Sequence, residues 1–214
     1  MCKRENIKES IILAIGITLI LLSLTVSVLV FKKGKEIEAL DDKCFSYVNN
    51  KQYEDAIKFA YSIPDNKKSS GIYACIATAY YNLHENDLAL KNFEKAKEMQ
   101  EGIFHPLNPT YRIYIYTNIA KILHDENKDN EAIIYYEKAL HEMIENRKIR
   151  EEYRKKYIEV LTQIAKIYEE NQALDKAIEY YEKALKLYNK YGFDDKEKEE
   201  IKKKLAEIYG KKDA

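Results

Sequence analysis

Asn130-Glu131-Ala132-Ile133-Ile134-Tyr135-Tyr136-Glu137-Lys138-Ala139-Leu140 returns 45 positions later as Asp175-Lys176-Ala177-Ile178-Glu179-Tyr180-Tyr181-Glu182-Lys183-Ala184-Leu185. In both copies the apolar residues fall three and four apart, the period of a helix with one buried side. Looser copies stand at Asp87-Leu88-Ala89-Leu90-Lys91-Asn92-Phe93-Glu94-Lys95-Ala96 and at Gln52-Tyr53-Glu54-Asp55-Ala56-Ile57-Lys58-Phe59-Ala60. A second motif precedes three of these copies: Ile164-Ala165-Lys166-Ile167-Tyr168, Ile119-Ala120-Lys121-Ile122-Leu123 and Ile76-Ala77-Thr78-Ala79-Tyr80. It comes back once more, as Leu205-Ala206-Glu207-Ile208-Tyr209. Self-similarity on this scale marks an array of helix pairs, each burying its apolar side only by stacking on the next.

Composition agrees with an all-α chain. The 214 residues are 46% hydrophobic and 34% charged, with only 6 Gly and 3 Pro, too few for a turn-rich fold. Lys+Arg and Asp+Glu both total 36, and the two signs interleave, so no basic field invites nucleic acid. The cysteines, Cys2, Cys44 and Cys75, are too few and too scattered for a disulfide framework and lack metal-ligand spacing. Cys44 and Cys75 are expected to serve as small buried hydrophobes with free thiols.

The repeated positions resemble the tetratricopeptide repeat family. That family sets large, large, small and aromatic residues on a first helix, then small, aromatic and small residues on a second. Leu161, Ile164, Ala165 and Tyr168 match the first set, and Ala177, Tyr181 and Ala184 the second. Tyr116, Ile119, Ala120 and Leu123 pair with Ala132, Tyr136 and Ala139; Tyr73, Ile76, Ala77 and Tyr80 pair with Ala89, Phe93 and Ala96. The small pairs Ala77/Ala89, Ala120/Ala132 and Ala165/Ala177 are each 12 apart. The first copy departs from the pattern: Leu40, Cys44, Tyr47 and Ala56 fit, but Lys43 stands where a large apolar residue belongs.

The family's period is about 34 residues, whereas Ala56, Ala89, Ala132 and Ala177 are 33, 43 and 45 apart. The extra length falls in Met99–Tyr111, with Pro106 and Pro109, and in the charged run Met143–Tyr157. Lengthened repeats of this kind resemble those of kinesin light chains and bacterial peptide-sensing regulators. The resemblance implies an α-α superhelical solenoid over residues 35–209, with repeats at 35–67, 70–103, 110–146 and 151–191. A capping helix follows at 194–209, and residues 210–214 form a tail. Gly192 is placed to close a helix in the left-handed conformation, and Asp194 with Glu197 to open the last one as a capping box.

Residues 10–31, after a short tail at 1–9, carry no ionisable side chain. As a helix they reach about 33 Å, enough for the roughly 30 Å hydrocarbon layer. Ser10, Thr18, Ser23, Thr25 and Ser27 can return their hydroxyls to the helix's own carbonyls. The run exceeds a signal peptide's apolar core and ends in lysines instead of a small-x-small site. It reads as a single transmembrane helix holding the chain at the cell membrane. Lys3, Arg4 and Lys8 on one flank balance Lys32, Lys33 and Lys35 on the other, so the charge rule favours neither orientation.

No phosphate loop, nucleophile elbow or HExxH is present, and no cofactor or metal is expected. His141-Glu142-Met143-Ile144-Glu145 lacks a second histidine, and His84, His105 and His124 fall at helix ends or in loops. One tyrosine of most doublets (Tyr80-Tyr81, Tyr135-Tyr136, Tyr180-Tyr181) serves the core, while Tyr81 is turned to another side from Tyr80. An enzyme is not expected. The family resemblance implies a concave inner face for a partner peptide or helix, lined by Asp41, Phe45, Ala74, Thr78, Tyr81, Tyr114, Thr117, Lys121, Thr162 and Lys166. The lysine and asparagine set with which some relatives clamp a chaperone's C-terminal carboxylate is missing. With an anchor and an array in the sequence, the first expectation is a membrane-tethered protein-interaction adaptor. A peptide sensor is the second expectation, and a self-associating structural protein the third.

Overall fold

In a computed structural model, residues 2–101, 109–145, 151–193 and 196–212 are described. They form α1 (Cys2–Asn49), α2 (Tyr53–Ser62), a short 3-10 turn (Asp65–Lys67), α3 (Ser70–Asn82) and α4 (Asn86–Glu101). There follow α5 (Pro109–Asp125), α6 (Asp129–Glu145), α7 (Glu151–Glu170), α8 (Leu174–Tyr191) and α9 (Lys196–Lys212). No strand occurs among the described residues. The heaviest packing joins α3 to α4, α5 to α6 and α7 to α8; lighter contacts join each pair to the next, and α1 lies on both α2 and α3. This is the expected solenoid of helix pairs.

Small residues set the spacing. Ala77, Ala89, Ala120, Ala132, Ala165 and Ala177 are all fully buried, small enough for the paired helices to pack closely. Phe93, Tyr136 and Tyr181 fill the adjoining gaps, equally buried. In the first copy Lys43 remains exposed, but its ammonium lies 4.8 Å from the centroid of the Phe59 ring. A cation over an aromatic face and its aliphatic stem together occupy the apolar residue's place.

Each pair turns through the same device. Lys51, His84, Asn127 and Gln172 all adopt the left-handed conformation, with φ of 58–63°. Each of these N–H groups bonds back three residues, to Val48, Tyr81, His124 and Glu169. The next N–H reaches back five, to Tyr47, Tyr80, Leu123 and Tyr168, at 2.8–2.9 Å. These are Schellman closures made without glycine. The turns are 33, 43 and 45 residues apart, the intervals of the alanines. At the end of α8, Gly192 (φ 70°) supplies the expected left-handed cap. Asp194 of the expected capping box, and His105, lie outside the described residues.

The lengthened intervals are partly helix. α7 begins at Glu151, 14 residues before Ala165, whereas α3 begins only 7 before Ala77, and α4 extends to Glu101. Of the histidine string, Met143 is fully buried in the core and Ile144 is exposed.

α1 runs 48 residues without a break, from the apolar segment through the expected border at 31–35 into the first pair. From Ile15 to Phe31 its large apolar side chains are about half exposed or more, and nothing packs on them. Among the described residues this is one helix long and apolar enough to cross a bilayer. Thr18, Ser23, Thr25 and Ser27 each donate to a carbonyl three or four residues back at 2.8 Å, so none presents a free hydroxyl proton.

The cysteine expectation is overturned. Cys44 of α1 and Cys75 of α3, both fully buried, are joined as a disulfide closing a 31-residue separation. Their Cα atoms are 6.2 Å apart, within the range that a disulfide spans. The crossing of two helices creates this pairing, and linear spacing does not reveal it.

A left-handed residue other than Gly, Asn or Asp costs about 1–2 kcal/mol. Gln172→Gly is therefore expected to raise stability by about 0.5–1 kcal/mol after glycine's own entropic cost, read as a higher Tm of the full chain in mild detergent. Asn127→Gly should gain less. Equal losses at both positions would contradict the shared turn.

Candidate binding groove

The first helices of successive pairs, α1, α3, α5 and α7, together with α9, form the inner layer. Between α1 and α5 this layer is closed by its own side chains. Asp41, Ala74, Thr78 and Thr117 are buried, with exposures of 6%, 0%, 9% and 3%. Phe45 meets the Tyr114 ring edge-on at 5.7 Å, and Tyr114 packs on Phe93 at 6.3 Å. The Tyr114 and Thr78 hydroxyls share a hydrogen bond of 2.6 Å, and Thr78 also donates to the Ala74 carbonyl. Burial raises the Tyr114 phenol above its ordinary value.

Asp41 is a structural tie between helices. Ser69, which caps α3 by accepting from the Ile72 N–H, donates its hydroxyl to Asp41. Tyr111 of α5 donates to the same carboxylate at 3.4 Å. Burial pushes the Asp41 carboxyl above the usual range, and the Ser69 and Tyr111 hydroxyls only partly offset this. Gly71 makes the approach possible, because a Cβ there would collide with the Asp41 carboxylate.

Beyond α5 the layer opens. Lys121, Thr162 and Lys166 are half-buried, as is Tyr81 near the C-terminal end of α3. Tyr81 donates to Asp125 across α3 and α5 at 2.9 Å, and burial followed by this bond lifts its phenol to about 12. A recess of about 400 Å³ between α5 and α7 is lined by Tyr114, Tyr153, Lys156 and Glu159, among others. A second, of about 150 Å³, lies between α7 and α9 against Thr162, Gln163, Lys166, Glu200 and Lys204.

Charge in this half is mostly paired. Lys156 bonds Glu159 at 3.0 Å, Lys204 bonds Glu169 at 3.1 Å, and Lys166 lies 4.0 Å from Glu200. The Tyr181 and Tyr188 hydroxyls donate to Glu169 and Glu197. Lys121 forms no ion pair among the described residues. Burial holds its ammonium below the usual lysine range, and Lys156 adds to the effect against Glu159 and Asp125. A partly desolvated cation beside a second lysine is suited to an anionic group. Among the described residues no three His, Cys, Asp or Glu side chains converge as a metal site.

Linear reading missed the contribution of Tyr153, Lys155 and Lys156 to this wall. Their signal was present: Tyr153, Tyr157 and Leu161 continue the four-residue period back through the charged run. The closure between α1 and α5 had no linear signal, because it joins residues as far apart as Asp41 and Tyr111.

Two variants test the Asp41 tie. Gly71→Ala should destabilise by about 1–3 kcal/mol, and the cost should shrink in an Asp41→Ala background, where no carboxylate is displaced. Because the folded-state pKa of Asp41 is raised, its favourable contribution is present below the ordinary value of 3.8 and is lost as pH climbs through the folded value. Asp41→Asn should therefore gain stability relative to the parent at about pH 7 compared with about pH 4. A constant difference across that range would contradict a buried carboxylate.

The family model for the tetratricopeptide repeat matches residues 113–140 and 158–191. No curated protein matches the sequence. Among solved structures, MamA is similar at 21% identity over 73% of this chain and 80% of its own, with a TM-score of 0.55. The tetratricopeptide-repeat sensor of a STAND signal-transduction ATPase from Pyrococcus horikoshii is 25% identical over 82% of this chain, with a TM-score of 0.67; the match spans 26% of that protein. Yeast Hif1, a histone chaperone described as a scaffold recruiting protein complexes to core histones, is 15% identical over 84% of this chain and 94% of its own, with a TM-score of 0.64. With its recurring alanines, four like turns and stacked pairs, the chain carries tetratricopeptide repeats at residues 113–140 and 158–191 within a solenoid of the same fold.

Proposed function

We propose that this protein is a membrane-tethered interaction scaffold that takes a partner peptide or helix in the C-terminal half of its groove. The observation that carries the reading is the open wall of α5, α7 and α9, where Thr162, Gln163 and Lys166 line one recess and Tyr114, Tyr153 and Lys156 another, with Lys121 half-buried on α5. Tyr114 and Tyr153 give one recess aromatic edges beside Lys155 and Lys156, and Lys121 of α5 is a partly desolvated cation. Apolar side chains and one acidic group on the guest would meet these features. Asp41, Ala74, Thr78 and Thr117 hold the fold in this reading and touch no guest.

Tethering is inferred from α1. Its uncovered apolar stretch and self-satisfied hydroxyls suit a bilayer, where unpaired polar groups are costly. A scaffold on an unbroken helix would hold its guest at a fixed height above the lipid. A sensing role is the second reading, favoured by the likeness to the Pyrococcus horikoshii sensor.

Photo-crosslinking of the full chain in its own membrane, followed by mass spectrometry, tests the scaffold reading. A crosslinker at Thr162 or Lys166 should yield one discrete adduct, and Lys121→Glu should reduce that adduct about tenfold, equivalent to about 1.4 kcal/mol. A crosslinker at the exposed Ile134 of α6 should yield none. Adducts from Ile134 alone, or adducts indifferent to Lys121, would contradict the groove.

A further inference from the structure

The disulfide bears on which side of a membrane the array occupies. We infer that the array stands on the exoplasmic, oxidising side, with α1 running outward from a cytoplasmic N-terminus, so that the guest is an exoplasmic protein. The part concerning the guest rests on the scaffold reading above; the part concerning the side rests on its membrane tether alone.

Cys44 and Cys75 come from different helices and are both fully buried. Independent packing holds those helices together one turn away. Asp41, three residues before Cys44, is bound by Ser69 at the start of α3, and Gly71 gives its carboxylate room. The helix crossing therefore presents the two sulfurs to each other through contacts that would exist without the bond. Forming the bond removes two electrons and two protons from the thiols. An exoplasmic thiol–disulfide oxidoreductase accepts them as its own disulfide becomes a dithiol. Cytosolic thiol pools drive the exchange in reverse, which is why structural disulfides concentrate in secreted and exoplasmic domains. Once formed, this one is shielded by the core from dissolved reductants.

The flanking charges do not oppose this orientation, since three basic residues stand on either side of the apolar run. The bond also ties the C-terminal end of α1 to α3, which cross-links the second pair to the helix that carries the apolar segment.

Cys2, at the far end of α1, makes the chain its own topology reporter. Cells carrying the full chain are quenched in acid and denatured, and free thiols are tagged with a maleimide–polyethylene glycol that retards the band one step per thiol. One step is expected without reduction and three after reduction; in Cys2→Ser, none and two. In parallel, protease added outside intact spheroplasts should degrade the array and leave an N-terminal fragment. Three steps without reduction would overturn the disulfide. An array that resists protease until the membrane is opened would overturn the exoplasmic placement, even with the bond formed, and would leave the groove reading standing. A shortened chain lacking the Cys2 step would overturn the retained anchor.

Discussion

The structure depends on helix backbones approaching closely enough to meet at alanine. Ala77, Ala89, Ala120, Ala132, Ala165 and Ala177 are all fully buried, and a larger side chain at any of them would force the packed helices apart. The flanking rings of Phe93, Tyr136 and Tyr181 take up the volume that the alanines forgo. Each pair then offers an apolar edge that only a neighbouring pair can cover, so stability passes from repeat to repeat. At the far end α9 closes the series: Ile201, Leu205 and Ile208 are buried, and its other positions are mostly charged and exposed.

Within this regular stack the two halves of the inner layer differ. α1 brings Asp41, Cys44 and Phe45 onto α3 and α5, and each is engaged there by a tie, a covalent bond or a ring contact. The N-terminal half has become core. From α5 onward the first helices are longer, with 17 residues in α5 and 20 in α7, against 13 in α3. Their additional turns carry Tyr153 and Lys156 into the wall of a recess. Repeat length thus governs where a groove can remain open.

Much of this was legible in the sequence because it is local. The 12-residue spacing of alanines marks each helix pair, Gly192 marks a left-handed cap, and the hydroxyls of residues 18–27 bond within one helical turn. Other features escaped because they arise between distant elements or break a local preference. Lys51, His84, Asn127 and Gln172 adopt a conformation usually given to glycine, held there by paired backbone bonds. Lys43 occupies an apolar position by covering the Phe59 ring. The Cys44–Cys75 bond depends on a helix crossing. Of the ten residues expected on the inner face, Asp41, Ala74, Thr78 and Thr117 are covered by neighbours that no single-helix pattern contains.

The central claim is that the inner layer is sealed between α1 and α5 and accessible between α5 and α9. Thiol-accessibility scanning in the folded full chain, on a Cys2→Ser background, tests it most directly. Single replacements Thr78→Cys, Thr117→Cys, Thr162→Cys and Lys166→Cys report the two halves. The account predicts rapid alkylation at 162 and 166, with 78 and 117 protected until the chain unfolds. Alkylation at 78 and 117 as fast as at 162 would contradict it.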